Sequence, residues 1–193
     1  MTTALVSDIP TLWFLNRSSG FVILALFTFT TFLGVMSSGS RAGKRVPSFV
    51  TQAVHRNVAL LSVVLLGVHI YTAVAHEFID VRWWQAIVPW YGATFMPLWL
   101  GFGTLAVDLI VVVTLTSLVR ERLPHRGWLL VHLTSYVAWV ASLVHTLGIG
   151  TDVKSAEPWA YGIVAVSIGV VVVAAVIRLA QLRRGGRLVQ VAS

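Results

Sequence analysis

Four histidines stand in two apolar stretches of the chain, and their spacing has the clearest chemical meaning. His55 and His69 have thirteen residues between them, and His132 and His145 have twelve. Both stretches are long enough to cross a membrane as helices, so the axial separations are about 21 Å and about 19.5 Å at roughly 1.5 Å per residue. Two such helices side by side match their histidines at two depths. Two levels of paired imidazoles are what two stacked hemes require.

The helical period also predicts on which side each ring leaves its helix. The fourteen steps from His55 to His69 fall about 40° short of four turns, so both rings leave on nearly one side, with Ser62 midway. The thirteen steps from His132 to His145 fall about 140° short of four turns. Either this second helix contains an irregular turn, of π type or tightened, or its two histidines face different sides. The sequence leaves both alternatives open.

Histidines in apolar helices have other roles, and these define the alternatives. A buried imidazole in lipid needs partners for its nitrogens, and hydrogen bonds between helices can supply them. Zinc is the other metal to consider, but the two levels lie about 20 Å apart and no carboxylate or thiolate joins either pair. Four histidines at matched depths favour ligation of heme iron. His76 and His125 stand at the ends of their stretches, so we predict interfacial positions for them and no ligand role.

The composition is that of a protein embedded in a membrane. Of its 193 residues, 57% are hydrophobic and 11% are charged, and the mean hydropathy is +0.85. A soluble domain needs far more polar surface. The net charge of +7 could suggest nucleic acid as a partner, but the basic residues form short patches between apolar runs, a pattern that sets membrane orientation instead. The chain has no cysteine, which excludes disulfides, iron–sulfur clusters and thiolate metal sites.

The apolar runs predict a single domain over residues 1–193, an all-α membrane protein built as a bundle of five transmembrane helices. The predicted helices cover residues 11–38, 50–78, 97–119, 124–148 and 158–183. Residues 79–91 are rich in tryptophan, too short and too polar to cross, and we predict an interfacial segment there. The N-terminus lacks the basic residues of a signal peptide, so we expect the first run to be retained. We expect a loose tail after residue 183.

The distribution of basic residues predicts the orientation. Most of the fourteen lysines and arginines lie in the turn between the first two helices, in the turn between the third and fourth, and near the C-terminus. Most of the acidic residues lie on the opposite side. The positive-inside rule then puts the N-terminus outside and the C-terminus in the cytoplasm of a multi-pass protein of the cell (plasma) membrane. His55 and His132 fall in the cytoplasmic half, and His69 and His145 in the outer half.

These two spacings together resemble the ferric reductase-like transmembrane domain, which NADPH oxidases, ferric reductases and the heme subunit of the bacterial methionine sulfoxide reductase system share. The opening LWFLNRSSGFVILALFTFTTFLG is similar to the first helix of small actinobacterial members, and the resemblance covers about residues 11–183. It implies two molecules of heme b, the inner one ligated by His55 and His132 and the outer one by His69 and His145. It also implies electron transport from a cytoplasmic-side donor to an outer-side acceptor.

The sequence departs from the large oxidases because it contains no GxGxxG or other dinucleotide-binding fingerprint. We therefore expect an electron-transfer heme subunit of an oxidoreductase, without an NAD(P)H or flavin domain of its own. The expected donor is a cytoplasmic flavoprotein or quinol, and the expected acceptor is ferric iron, oxygen, or an outer-side reductase or flavin protein. Two alternatives stay open. One is a quinol-linked cytochrome b anchor subunit of a respiratory or repair oxidoreductase, and the other is a heme-free polytopic transporter or assembly protein with structural histidines.

Three arginines are candidates to bind the anionic propionates of the hemes. Arg56 and Arg126 stand beside the inner level, where ordinary positive-inside anchoring is the alternative. Arg17 lies inside the first helix near the outer face, against the charge rule, and either an outer propionate or snorkelling to the surface would explain it. Asp108 lies near the bilayer centre, where a charge is costly. A protonated state, a polar partner and a proton path all stay open for it.

Overall fold

The computed structural model describes residues 5–37, 47–75 and 81–191, and these are helical apart from turns, without a strand. The helices in chain order are α1 (Leu5–Ser37), α2 (Ser48–Ala75), α3 (Pro97–Leu118), α4 (His125–Ile149), α5 (Thr151–Lys154) and α6 (Pro158–Val191). All except the four-residue α5 contain a stretch long and apolar enough to cross a membrane. This confirms the predicted all-α class and the five helices of membrane-spanning length.

Prolines mark the starts of three of these helices. Pro97 and Pro158 are the first residues of α3 and α6, a position where the missing N–H has no partner inside the helix. Pro124 directly precedes α4. Met96, just before α3, has a φ of 41° in the left-handed region, which sets a sharp entry into that helix. The local sequence therefore indicates where these three helices begin.

The helix bounds differ most from the predicted ones at the two ends of the chain. α1 begins at Leu5 rather than near residue 11, and α6 continues to Val191 rather than ending near residue 183. The predicted loose tail is therefore wrong as far as Val191. The two consecutive glycines there each disfavour a helix by about 1 kcal/mol relative to alanine, but no proline stops it. The end of the second predicted helix, with His76, lies outside the described residues.

α1 is the central helix of the bundle. It packs along α2 and also contacts α4 and α6, while α3 packs along α4. Within the described parts of the chain, α1 is the one helix against which α2 packs closely. A core cluster joins α1, α4 and α6 through Leu24, Trp139, Leu143 and Val164. There the Trp139 indole N–H donates to the Thr28 hydroxyl at 3.0 Å, which satisfies a buried donor that lipid could not satisfy.

Large apolar side chains cover the outside of the bundle. Val64 on α2, Leu130 on α4 and Val166 on α6 are 65%, 69% and 65% exposed. Such a continuous apolar surface is unfavourable in water and favourable against lipid chains. The surface and the helix lengths together indicate a bilayer as the environment of this protein.

The connection from α2 to α3 folds against α3 in its described part. It contains a 3-10 turn at Trp83–Ala86. The buried Gln85 joins this turn to α3 and to the rest of the connection. Its side-chain amide donates to the carbonyl of Gly92 at 2.6 Å, and its backbone carbonyl accepts from the Thr104 hydroxyl on α3 at 2.5 Å. Trp90 in this connection is 45% exposed, as tryptophans at a membrane interface commonly are.

Candidate functional site

The four histidines meet in two pairs, each with one member from α2 and one from α4. The rings of His55 and His132 have centroids 6.2 Å apart and planes inclined at 55°. His69 and His145 line a common cavity. The structure thus brings together the residues whose spacing predicted equal depth. We call His55 and His132 the inner pair and His69 and His145 the outer pair, after the orientation that the sequence predicts.

The helix that bears His132 and His145 is uninterrupted. α4 is α-helical from His125 to Ile149, with no π or 3-10 turn between the two histidines. Of the two alternatives that the sequence left open, the irregular helix is therefore wrong. The thirteen steps between the histidines fall about 140° short of four turns, so the two rings leave α4 from different parts of its circumference.

A backbone carbonyl on a neighbouring helix holds three of the four imidazoles. Each contact joins a ring Nδ1 to a carbonyl oxygen: His55 to Thr30 at 3.1 Å, His69 to Asn16 at 3.0 Å and His145 to Trp99 at 2.9 Å. A carbonyl oxygen can only accept, so Nδ1 has the proton and donates it. In a neutral imidazole Nε2 then has a free lone pair, and this is the tautomer that binds a metal through Nε2.

The fourth imidazole, that of His132, has different neighbours. Its Nδ1 lies 3.4 Å from the Ser117 hydroxyl on α3, a group that can donate or accept. The Trp128 ring, one turn earlier on α4, stacks on it with centroids 4.9 Å apart and planes inclined at 26°. The Arg120 guanidinium in turn lies 5.2 Å from the centroid of the Trp128 ring. Trp128 and Arg120 therefore belong to the inner site.

Our sequence analysis missed both of these neighbours of the inner pair. Trp128 and His132 are four residues apart, a spacing that places side chains next to each other on one helix face. The contact between Trp128 and His132 could therefore have been predicted from their spacing. The contact of Arg120 could not, because Arg120 precedes α4 and reaches Trp128 only through the geometry of the turn between α3 and α4.

The outer pair lines a cavity of about 360 Å³ to which helices α1 to α5 and the connection before α3 contribute. Its walls are largely apolar and include Leu24, Phe27, Leu66, Val107 and Ile110. Besides the two histidines, a smaller polar set contributes to the lining, and it comprises Asn16, Arg17, Gln85, Thr104, Ser142, Thr146, Thr151, Asp152 and Lys154. An apolar cavity with a few polar groups is the usual form of a cofactor or ligand site.

An ion pair between α1 and α5 borders this cavity. The Arg17 guanidinium donates through Nε to Oδ2 of Asp152, and its Nη2 forms an ion pair with Oδ1. Asp152 is 1% exposed and the Arg17 side chain is 28% exposed. The Trp13 ring covers the guanidinium, with 4.6 Å between Arg17 Cζ and the ring centroid. Neither alternative that the sequence offered for Arg17 included this partner, because Asp152 lies in a polar connection far away along the chain.

Asn16 holds His69 at two points. Its backbone carbonyl accepts from the imidazole, and its side-chain amide donates to the backbone carbonyl of His69 at 2.8 Å and to the Thr72 hydroxyl at 3.2 Å. The Ser19 hydroxyl lies 3.2 Å from Nδ1 of the same ring. These contacts tie α1 to α2 at the outer level. Neither Asn16 nor Ser19 was predicted from the sequence, although they lie one residue before and two residues after Arg17 on α1.

Lys154 is a further cation at the outer cavity. It is the last residue of α5, it is exposed, and it contributes to the cavity lining. Its ammonium lies 3.0 Å from the Met96 sulfur, which is only a weak acceptor. The charge of Lys154 is therefore less well satisfied than that of Arg17, and an anionic group in the cavity would be a better partner.

The remaining residues from the sequence analysis lie outside these clusters. Arg56 and Arg126 are exposed, the first directly after His55 on α2 and the second in the first turn of α4. His125 is exposed at the start of α4, with its ring centroid 5.9 Å from that of Trp128. Asp108 is half-buried on α3.

No protein-family model, curated protein or solved structure matches this chain. Among the described residues, no group of three or more histidine, cysteine, aspartate or glutamate side chains is placed to hold a metal ion. The resemblance to the ferric reductase-like domain therefore stays a prediction. The function has to be inferred from the two histidine pairs and their surroundings.

Proposed function

We propose that this chain is a diheme membrane cytochrome b that transfers electrons across the membrane, with one heme b at each histidine pair. The observation that supports this most is the shared tautomer of three histidines, whose Nδ1 donates to a carbonyl and leaves Nε2 with a free lone pair. A histidine that only joins helices inside a bilayer would need a partner for Nε2 as well. Iron is such a partner.

The inner pair has the separation that ligation from opposite sides of one metal requires. A metal–nitrogen bond is about 2 Å long, and a ring nitrogen lies about 1.1 Å from the centre of its imidazole. Two imidazoles that would ligate one metal ion through ring nitrogens could then have centroids about 6 Å apart. The centroids of His55 and His132 are 6.2 Å apart. The buried indole N–H of Trp128, which has no acceptor among the described residues, further favours an anionic group such as a propionate beside this pair.

The surroundings of the outer pair also fit a heme. The cavity of about 360 Å³ lies within the range of about 300–1,000 Å³ in which cofactor sites commonly fall. Its apolar walls suit a macrocycle, and Lys154 supplies a cation for a propionate. Arg17, in contrast, already has Asp152 as its counter-charge. We therefore assign the propionate contact that the sequence predicted for Arg17 to Lys154.

Bound heme iron would supply reversible one-electron transfer. The residues of the chain supply the rest. The bonds from Nδ1 to helical carbonyls fix the ring orientation of His55, His69 and His145 and raise the basicity of Nε2. The apolar walls of the outer cavity shield its pair, while Arg120 places positive charge over the Trp128 ring that stacks on His132.

The direction and the partners belong to the same proposal. The basic turns next to the inner pair support a cytoplasmic position for it and an outer position for the second pair. A cytoplasmic flavoprotein or quinol would then donate electrons, and an outer-side reductase, flavin protein, oxygen or ferric iron would accept them.

A reduced-minus-oxidised visible spectrum of the purified full chain tests the proposal. We expect a b-type α band and, by pyridine hemochrome assay, two hemes per chain. The absence of this band in protein from heme-supplemented cells would contradict the proposal and favour the heme-free transporter. A ratio near one heme per chain would mean that only one of the two histidine pairs binds heme. Fast heme reduction by a quinol, but not by a reduced flavoprotein, would favour the quinol-linked anchor subunit.

A further inference from the structure

A glycine stands four residues after each carbonyl that holds an imidazole. The carbonyl and glycine positions are Asn16 and Gly20 for His69, Thr30 and Gly34 for His55, and Trp99 and Gly103 for His145. In all three cases the histidine that donates to the carbonyl is also the side chain nearest to the glycine. The same local arrangement thus occurs three times, twice on α1 and once on α3.

Helix geometry explains why the fourth residue matters. Each Cα–Cβ bond in an α-helix is tilted toward the N-terminus, so the side chain at position i+4 covers the carbonyl at position i. That carbonyl already accepts the N–H of residue i+4, and its second lone pair is free for another donor. A glycine at i+4 leaves the second lone pair open to the imidazole. A side chain at this position approaches the ring, and how closely it approaches differs among the three sites.

The three glycines differ in how closely the ring approaches. A methyl group at Gly103 would lie 2.5 Å from Nδ1 and 2.7 Å from Cε1 of His145, far inside normal contact. A methyl group at Gly20 would lie 3.2 Å from Cε1 of His69, and one at Gly34 would lie 3.5 Å from Cε1 of His55. The first clashes, the second is tight and the third is an ordinary van der Waals contact.

His132 has no such pair of carbonyl and glycine beside it, and a hydroxyl takes the place of the carbonyl. Its Nδ1 meets the Ser117 hydroxyl, which stands fourteen residues after Gly103 on α3. Gly34 likewise stands fourteen residues after Gly20 on α1. Each neighbouring helix therefore presents a small residue at both levels. At the His132 level this residue is itself the hydrogen-bond partner and is not an opening to a carbonyl.

We propose that Gly20, Gly34 and Gly103 are positioning residues, each of which exposes a helical carbonyl so that it holds one imidazole by Nδ1 and presents Nε2 to iron. This inference rests on the proposed heme function and deepens it. It assigns the orientation of three histidines to residues that are not themselves ligands. The fourth ligand, His132, depends on a hydroxyl instead.

The test compares Gly20→Ala, Gly103→Ala and Gly34→Leu with a matched control on α2. Gly67 is the control, because a methyl group there meets nothing within 4 Å. Heme content, the low-spin absorption spectrum and a redox titration are measured on each purified full chain. We expect Gly103→Ala to lose the outer heme and Gly20→Ala to keep both hemes with only the outer wave shifted. Gly67→Ala should match the wild type, whereas Gly34→Leu should disturb only the inner wave.

The outcomes separate this inference from the proposed function. A wild-type chain without heme would overturn the function itself. A wild-type chain with two hemes, together with Gly20→Ala and Gly103→Ala variants that both match Gly67→Ala, would overturn only the role of the glycines. Should Gly103→Ala fail to accumulate, Gly20→Ala and Gly34→Leu decide, because a general folding defect would alter both waves and a positioning defect alters one.

Discussion

The inner and outer histidine pairs stand on the same two helices but are held in different ways. Both rings of the outer pair donate to helical carbonyls, and a cavity bordered by the ion pair of Arg17 and Asp152 surrounds them. In the inner pair only one ring donates to a carbonyl. The other ring contacts a hydroxyl and stacks on Trp128.

This difference separates two ways of fixing a ligand inside a bilayer. A helical carbonyl cannot rotate, so it gives a ring one orientation and one tautomer. A serine hydroxyl rotates and both donates and accepts, so His132 keeps more freedom. If hemes bind as proposed, the heme content and redox potential of the outer site should depend mainly on how the surrounding side chains pack. The inner site should respond to the aromatic and charged groups around His132.

Removal of a ligand should give the largest effect in this comparison. His69→Ala or His145→Ala should abolish the outer redox wave alone, and His55→Ala or His132→Ala the inner wave alone, because each heme depends on its own pair. A redox titration of the purified variants measures this. His125→Ala is the control and should leave both waves intact, since His125 is exposed at the start of α4. A variant of the outer pair that loses the inner wave would contradict the pairing.

Breaking the ion pair should have the second largest effect, and on stability. Arg17→Gln would leave the carboxylate of Asp152, which is 1% exposed, without its cation. Loss of one partner from a buried pair costs about 3 kcal/mol or more. Asp152→Asn should cost less, about 1–2 kcal/mol, because the Arg17 side chain is 28% exposed and reaches water. Thermal unfolding in detergent compares the two.

A double variant shows whether the ion pair itself is responsible. Arg17→Gln combined with Asp152→Asn leaves no uncompensated charge, so its loss of stability should be smaller than the sum of the two single losses. Arg126→Gln, at an exposed position on α4, is the control and should change the unfolding temperature little. Strictly additive losses would contradict a direct interaction between Arg17 and Asp152.

The matched depths of the histidines were predictable from helix geometry and from the shared direction of the two helices. The rise per residue gives His55 and His69 nearly the same axial separation as His132 and His145. The five long helices follow from composition in the same way. The sequence could not tell whether α4 is irregular between His132 and His145, because tertiary contacts decide whether a helix is distorted. The structure describes α4 as α-helical throughout.

The partners of the histidines were less predictable, for two physical reasons. The carbonyls of Thr30, Asn16 and Trp99 are backbone groups, and every residue has one, so no residue type marks them. The partner of Arg17 comes from α5, a short helix whose place depends on how the connection after α4 folds back. Glycines at a spacing of fourteen on α1 were visible in the sequence, but their meaning requires the neighbouring helix.

The smallest expected effect concerns Arg120 at the inner site. Its guanidinium lies over the Trp128 ring, and that ring stacks on His132. The Trp128 ring therefore separates the positive charge of Arg120 from the His132 imidazole. Positive charge favours the reduced, more electron-rich heme, so Arg120→Gln should shift the inner wave to a lower potential and leave the outer wave in place. Because Arg120 is exposed, salt should weaken the shift, with a screening length of about 10 Å at 0.1 M. Arg183→Gln, exposed near the end of α6, is the matched control. Equal shifts from Arg120→Gln and Arg183→Gln would mean that only overall charge matters and that the stack on His132 does not set the inner potential.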